Sequence, residues 1–255
     1  MSRISVFAVS LLFASVITGS TGYAAHVVTS TDLPTPSICH YAPGGSVTYN
    51  GQTSAGLAAC LDGAPGHNIH TLNITSDGGD AAQTLALARR YEGRIRHVVV
   101  QGWCASSCAN YILPIADTVT VPDNAYVVIH GSYSAQVIID EQKKQAAQLH
   151  REHPKNTYHF IFIPTADEAR AIEADQKSFE KRRLSCPEWL HPNLLSPSQL
   201  NRGYPASHDT ISEFFVSSTM AQRCLKHTKI LAYWMPPRSQ KTEKKLRANH
   251  GILLP

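Results

Sequence analysis

Asn68-Ile69-His70-Thr71-Leu72-Asn73-Ile74-Thr75 alternates apolar with polar side chains, and Ser76-Asp77-Gly78-Gly79-Asp80 then breaks the alternation. A period of two marks a β-strand with one face turned to a core, so a strand is expected over 68–75 with a turn after it. A helix should follow. Ala82, Leu85, Leu87, Ala88 and Tyr91 supply its apolar stripe, and Asp80 stands at its start, where negative charge suits the helix dipole. His97-Val98-Val99-Val100-Gln101-Gly102 is a β-branched run of the kind that is buried on both faces of a parallel sheet. Cys104 to Ile115 reads as a short apolar helix. Thr118-Val119-Thr120-Val121 and Ala125-Tyr126-Val127-Val128-Ile129 read as strands separated by Pro122-Asp123-Asn124. Strand, helix, strand, helix, strand is the order of an α/β fold built on a parallel sheet.

Working outward, Ser46 to Gly51 has the look of a short strand ending in a turn, whereas 25–38 is polar and turn-rich and is expected to be a flexible mature N-terminus. The character changes over 138–183. Charged helical sequence, Asp140 to His153 and Thr165 to Arg182, flanks the apolar patch Tyr158-His159-Phe160-Ile161-Phe162-Ile163, and the whole reads as a helical insertion in one α/β domain spanning 39–235. A Pro-rich turn after Cys186, a short helix at Pro197 to Arg202 and a helix near Ile211 to Cys224 are expected in the remainder. Residues 236–255 form a basic tail with Arg238, Lys241, Lys244, Lys245 and Arg247, the pattern of a solvated segment.

The first 24 residues have the layout of a secretory signal peptide: Met1-Ser2-Arg3, an apolar run from Val6 to Ile17, then Gly22-Tyr23-Ala24 with small residues suited to cleavage after Ala24. That run falls well short of the ~20 apolar residues needed to cross a bilayer. Export to the periplasm or the exterior is the expectation, with no stable membrane insertion once the leader is removed. The net charge of +4 is modest, and the basic tail lacks interleaved aromatic residues, so no nucleic-acid partner is expected.

The six cysteines, Cys39, Cys60, Cys104, Cys108, Cys186 and Cys224, are an even number in a chain read as exported, which points to disulfides. Sequence alone does not fix the connectivity. Neighbour pairing would join Cys39 to Cys60, Cys104 to Cys108 and Cys186 to Cys224, but on one helix a four-residue spacing bonds only if the turn is distorted, so Cys104 and Cys108 could equally find distant partners. The cysteines lack paired C-x-x-C spacing and the histidines are scattered, so neither a metal nor another cofactor is expected.

A serine hydroxyl is inert near neutral pH unless a base takes its proton, and the acyl-transfer intermediate needs N–H donors aimed at its oxyanion. Three strand ends offer these parts: Ser76 to Asp80, then Gly102-Trp103-Cys104-Ala105-Ser106-Ser107-Cys108, then Val127-Val128-Ile129-His130-Gly131. In a parallel sheet such ends share one edge, where open α/β folds bind their ligands.

The order strand-S-x-G-G-helix, strand-G-x-x-A-S-helix, strand-I-H resembles that of the Clp proteolytic subunits, and the C-x-S-x-C form resembles a family of Clp-protease-like periplasmic proteins. The likeness covers about residues 68–131. It implies a Clp/crotonase-like core of repeated ββα-type units. It also implies a nucleophile at Ser106 rather than at the neighbouring Ser107, a general base at His130, and an oxyanion hole from the N–H groups of Ser107 and of Gly78 or Gly79. The third triad member is where the sequence departs from the pattern. Leu195 to Gly203 is similar to the expected helix, but His191-Pro192-Asn193 precedes it with no Asp, so Asn193 is the candidate orienting residue, with Glu188 or His191 as substitutes.

The implied function is an exported serine hydrolase, a Clp-like peptidase acting on a peptide or protein substrate through an acyl-enzyme. Clp-like subunits form rings through a helical excursion, so a homo-oligomer is also an expectation. Two other classes share the fold: acyl-thioester chemistry, disfavoured because coenzyme A is scarce outside the cytoplasm, and a catalytically inactive binding or assembly protein that uses 138–183 as its contact surface.

Overall fold

Eight strands form the central sheet. Its main path runs β10 (Lys229–Tyr233), β6 (Thr118–Val121), β5 (Ile95–Ala105), β4 (Ile69–Ser76), β3 (Ser46–Asn50) and β2 (Ile38–Ala42). β7 (Tyr126–Ile129) pairs with β5 off this path, and β9 (Phe214–Phe215) pairs with β7. All pairings are parallel except β2 with β3 and β7 with β9. The computed structural model describes residues 23–28, 37–67, 69–152, 154, 157–162, 164–191 and 214–234. The chain is thus an α/β protein with a mostly parallel sheet, as the alternating sequence pattern predicts.

The expected alternation of β4 is present in its burial: Ile69, Leu72 and Ile74 are fully buried while His70 is exposed. The helix expected after it is α2 (Ala81–Tyr91), capped by Asp80, whose carboxylate accepts the Gln83 N–H at 2.7 Å. Leu85, Leu87, Ala88 and Tyr91 are buried as expected. Thr84 joins them in the interior, while Ala82 is only partly covered. α1 (Ala55–Asp62) buries Leu57, Cys60 and Leu61, and Cys60 is bonded to Cys39 at the start of the edge strand β2.

Three expectations need revision. The helix read over Cys104 to Ile115 does not start at Cys104: β5 continues through Ala105, and the helical turns occupy only Cys108–Ile112 and Leu113–Ile115. The polar pair Ser106-Ser107 stands at the switch, but the Cys and Ala residues on both sides of it suit either strand or helix, so hydrophobicity alone does not fix where the strand ends. The helix read over Ile211 to Cys224 is α5 (Ser218–Cys224), with the two-residue strand β9 shortly before it. Ser217 caps it by accepting the Met220 N–H, which sets the start. The segment read as a flexible N-terminus contributes β1 (Tyr23–Val28), which pairs in parallel with β8 (Thr157–Phe162) as a separate two-stranded sheet; the position expected for leader cleavage falls inside it.

The insertion consists of α3 (Ala135–Glu152), β8 and α4 (Ala166–Arg183). α4 starts at a capping box made by Thr165 and Glu168 and buries Ala169, Gln176 and Phe179. Phe179 meets Tyr111 edge to face, with ring centres 5.7 Å apart, so the insertion packs against the helical turns after β5. Residues 1–22 of the leader expected over 1–24, the helix expected at Pro197 to Arg202 and the tail 236–255 lie outside the described residues. Among the described residues no helix is long and apolar enough to cross a membrane.

Candidate active site

β5 serves two neighbours in turn. His97 to Val99 pair with β6, and Trp103 to Ala105 pair with β7 in the register Ala105–Val128. This second pairing sets the end of β5 beside the end of β7, and the Ser106 N–H donates to the Val128 carbonyl at 3.0 Å. At Ser106 the chain turns from strand to helix with φ of 53°, the left-handed region that a side chain enters only at a cost of about 1–2 kcal/mol. The Cys104–Cys108 disulfide spans this elbow. The difficulty of bonding two cysteines four apart on one helix does not arise, because Cys104 belongs to the strand. The other two bonds, Cys39–Cys60 and Cys186–Cys224, complete the neighbour pairing.

His130 follows β7 directly, and its Nε2 lies 2.6 Å from Ser106 Oγ. Burial holds the imidazole below its ordinary pKa, partly opposed by a hydrogen bond to its own backbone. A neutral ring can accept a proton, and with Nε2 facing a hydroxyl donor the tautomer that suits the contact carries its hydrogen on Nδ1. Ser107 stands differently: it is buried, and its hydroxyl donates to the Gly79 carbonyl at 2.8 Å, which ties the elbow to the loop after β4.

That loop approaches the serine as closely as sterics permit. A Cβ on Gly78, where φ is 103°, would lie 2.6 Å from Ser106 Cβ and 2.9 Å from the Ala105 carbonyl, so the position admits only glycine. The Gly78 N–H donates to Ser76 Oγ (3.1 Å) and its carbonyl accepts the Thr53 N–H (2.8 Å). Of the two glycines offered as oxyanion donors, Gly78 is therefore already engaged. Among the described residues the Gly79 and Ser107 N–H groups donate to no protein acceptor. Thr53 and Thr84, buried and bonded to each other at 3.0 Å, brace the loop from below. Thr84 shows in the sequence only as a polar residue within an apolar stripe, and Thr53 not at all among its polar neighbours Gln52 and Ser54.

Of the candidates for a third triad member, Glu188 and His191 are paired away from His130. Asn193 lies outside the described residues. Glu188 pairs with Arg223 at 3.6 Å; His191 faces Ser132 Oγ at 3.3 Å and Glu180 at 3.9 Å. No carboxylate is paired with His130 among the described residues. Two buried amides that sequence reasoning missed do contact the backbone just beyond it: Asn110 donates to the Gly131 carbonyl at 2.7 Å, and Gln176 is bonded to both polar backbone groups of Tyr133. Isolated amides carry no motif, and both carbonyl partners are remote in sequence.

Among the described residues no group of three or more His, Cys, Asp or Glu side chains is disposed to hold a metal ion. No family model matches the chain, and no curated protein matches it.

Proposed function

We propose that the chain is an exported serine hydrolase with a Clp/crotonase-like core, a peptidase that works through an acyl-enzyme on Ser106. The observation that carries this reading is the 2.6 Å contact between Ser106 Oγ and His130 Nε2 at an elbow held in the left-handed region. Nucleophile and base are within hydrogen-bond reach, and the strained elbow is the geometry that lifts a serine clear of its strand and helix. The three disulfides suit an oxidising compartment, as does the leader-like N-terminus.

In this mechanism Ser106 Oγ attacks a peptide carbonyl carbon as its proton passes to His130 Nε2. The N–H groups of Ser107 and Gly79 receive the oxyanion of the tetrahedral intermediate. His130 then gives the proton to the leaving amine nitrogen as the C–N bond breaks, leaving an ester on Ser106. A water deprotonated by the same ring attacks that ester, and the second tetrahedral intermediate collapses to free acid and serine.

Labelling of the purified mature protein with a fluorophosphonate tests this. Wild type and Ser107→Ala are expected to label, and Ser106→Ala and His130→Ala are not. Because burial lowers the pKa of His130, the labelling rate should climb with pH through a midpoint below about 6.5. That no carboxylate is paired with His130 among the described residues favours one other reading, a binding or assembly protein that keeps the fold and presents α3, β8 and α4 to its partner. A folded wild type that never labels supports that reading instead.

A further inference from the structure

A serine hydrolase base needs its ring held against the nucleophile, a task that triads give to a carboxylate on the far ring nitrogen. Here two buried amides bond the backbone of the loop that follows the base. Asn110 is one helical turn past Ser106, and its own N–H donates to the Ser106 carbonyl at 2.8 Å. Its side-chain amide reaches the other way, to the Gly131 carbonyl next to His130 at 2.7 Å. One residue thus spans the nucleophile's turn and the base's loop. Its other amide atom, Oδ1, is buried with no hydrogen-bond partner among the described residues, a desolvation burden that an apolar side chain of similar volume would not carry. What asparagine adds over leucine at this position is the bond to Gly131.

Two residues further on, the loop meets a second buried amide. Gln176 of α4, only 2% exposed, accepts the Tyr133 N–H at 3.0 Å and donates to the Tyr133 carbonyl at 3.4 Å, while its oxygen also accepts the Tyr111 hydroxyl. We propose that Asn110 and Gln176 are positioning residues for the base, which together clamp the backbone of Gly131 and Tyr133 and so set His130 against Ser106. The proposal rests on the hydrolase reading. It also gives α4 a part in the site, because the insertion delivers one of the two clamps.

Near-isosteric apolar variants remove the clamps with little change in volume. In Asn110→Leu and in Gln176→Met the fluorophosphonate labelling rate should fall about 10- to 100-fold, the usual effect of removing a residue that orients a reacting group. Gln142→Met is the control: this buried amide of α3 donates to the Pro164 carbonyl and has no contact with the loop, so its loss should leave the rate unchanged. The titration of the His130 ring, identified in NMR spectra as the signal absent from His130→Ala, reads the same effect without a probe. A loosened loop lets water reach the ring, so its midpoint should move up toward about 6.5 in the two clamp variants and stay in place in the control. If leucine at 110 prevents folding, Asn110→Ala takes its place. Labelling within twofold of wild type together with an unmoved titration in both folded clamp variants overturns the proposal, as does an equal effect of Gln142→Met. A wild type that never labels brings down the hydrolase reading, and the His130 titration then decides the clamp by itself.

Discussion

Ser106 carries its side chain in a backbone region where Cβ crowds the following carbonyl, and two substitutions separate that strain from the lost hydroxyl. Ser106→Ala and Ser106→Gly both delete Oγ, but only glycine relieves the crowding. Glycine should therefore be the more stable variant by about 1 kcal/mol in denaturant unfolding, the reverse of the usual order within a strand or helix. Equal stability, or a more stable alanine variant, would show the elbow to be unstrained. The residues of this site were unevenly legible. His130, Gly78 and Gly79 follow strands whose ends can be found by pattern, whereas pattern ends β5 too early and Ser106 is legible only through the resemblance of its motif. Asn110, Gln176, Thr53 and Thr84 act through single hydrogen bonds to groups that are remote in sequence. No periodicity announces a bond of that kind.

At the scale of the elements, the decisive event is the change from β5 to helical turns at Ser106. The sequence marks it only with the pair Ser106-Ser107, because the Cys and Ala residues that flank the pair suit either element. Had the strand been read through Ala105, the short Cys104–Cys108 bond would have looked ordinary. The disulfides differ in what they constrain. Cys186–Cys224 closes a separation of 38 residues and Cys104–Cys108 one of 4, so loop-closure entropy assigns about 4 and 2 kcal/mol to them respectively. Replacing both cysteines of a pair by alanine should therefore lower stability more for the long loop, while fluorophosphonate labelling should suffer more from loss of the short one, which spans the nucleophile's elbow. Unfolding curves and labelling rates measured on the two double variants check both halves. The same ranking in both assays would show that the short bond has no special tie to the site.

For the whole molecule, the α/β class and the parallel sheet followed from alternation and β-branched runs between 68 and 131. The periphery was harder to read. β10 is a five-residue edge strand with Lys229, Leu231 and Ala232 exposed, and β9 has only two residues, too short for any period to register. β1 takes its strand form by pairing with β8, more than a hundred residues away, a partnership that a local pattern cannot reveal. The segment expected as a helical insertion over 138–183 contains most of α3 and all of α4 with the strand β8 at its apolar patch, and its sequence gave no sign that α4 would send Gln176 to the loop behind His130. All these parts converge on one chemical claim, that Ser106 is acylated and then freed with His130 carrying the proton. Pre-steady-state hydrolysis of an activated aryl ester by the folded, oxidised protein tests it most directly. The account predicts a burst of about one phenolate per chain followed by slower turnover, lost in Ser106→Ala and in His130→Ala. A wild type without a burst, or a burst that survives in Ser106→Ala, would contradict it.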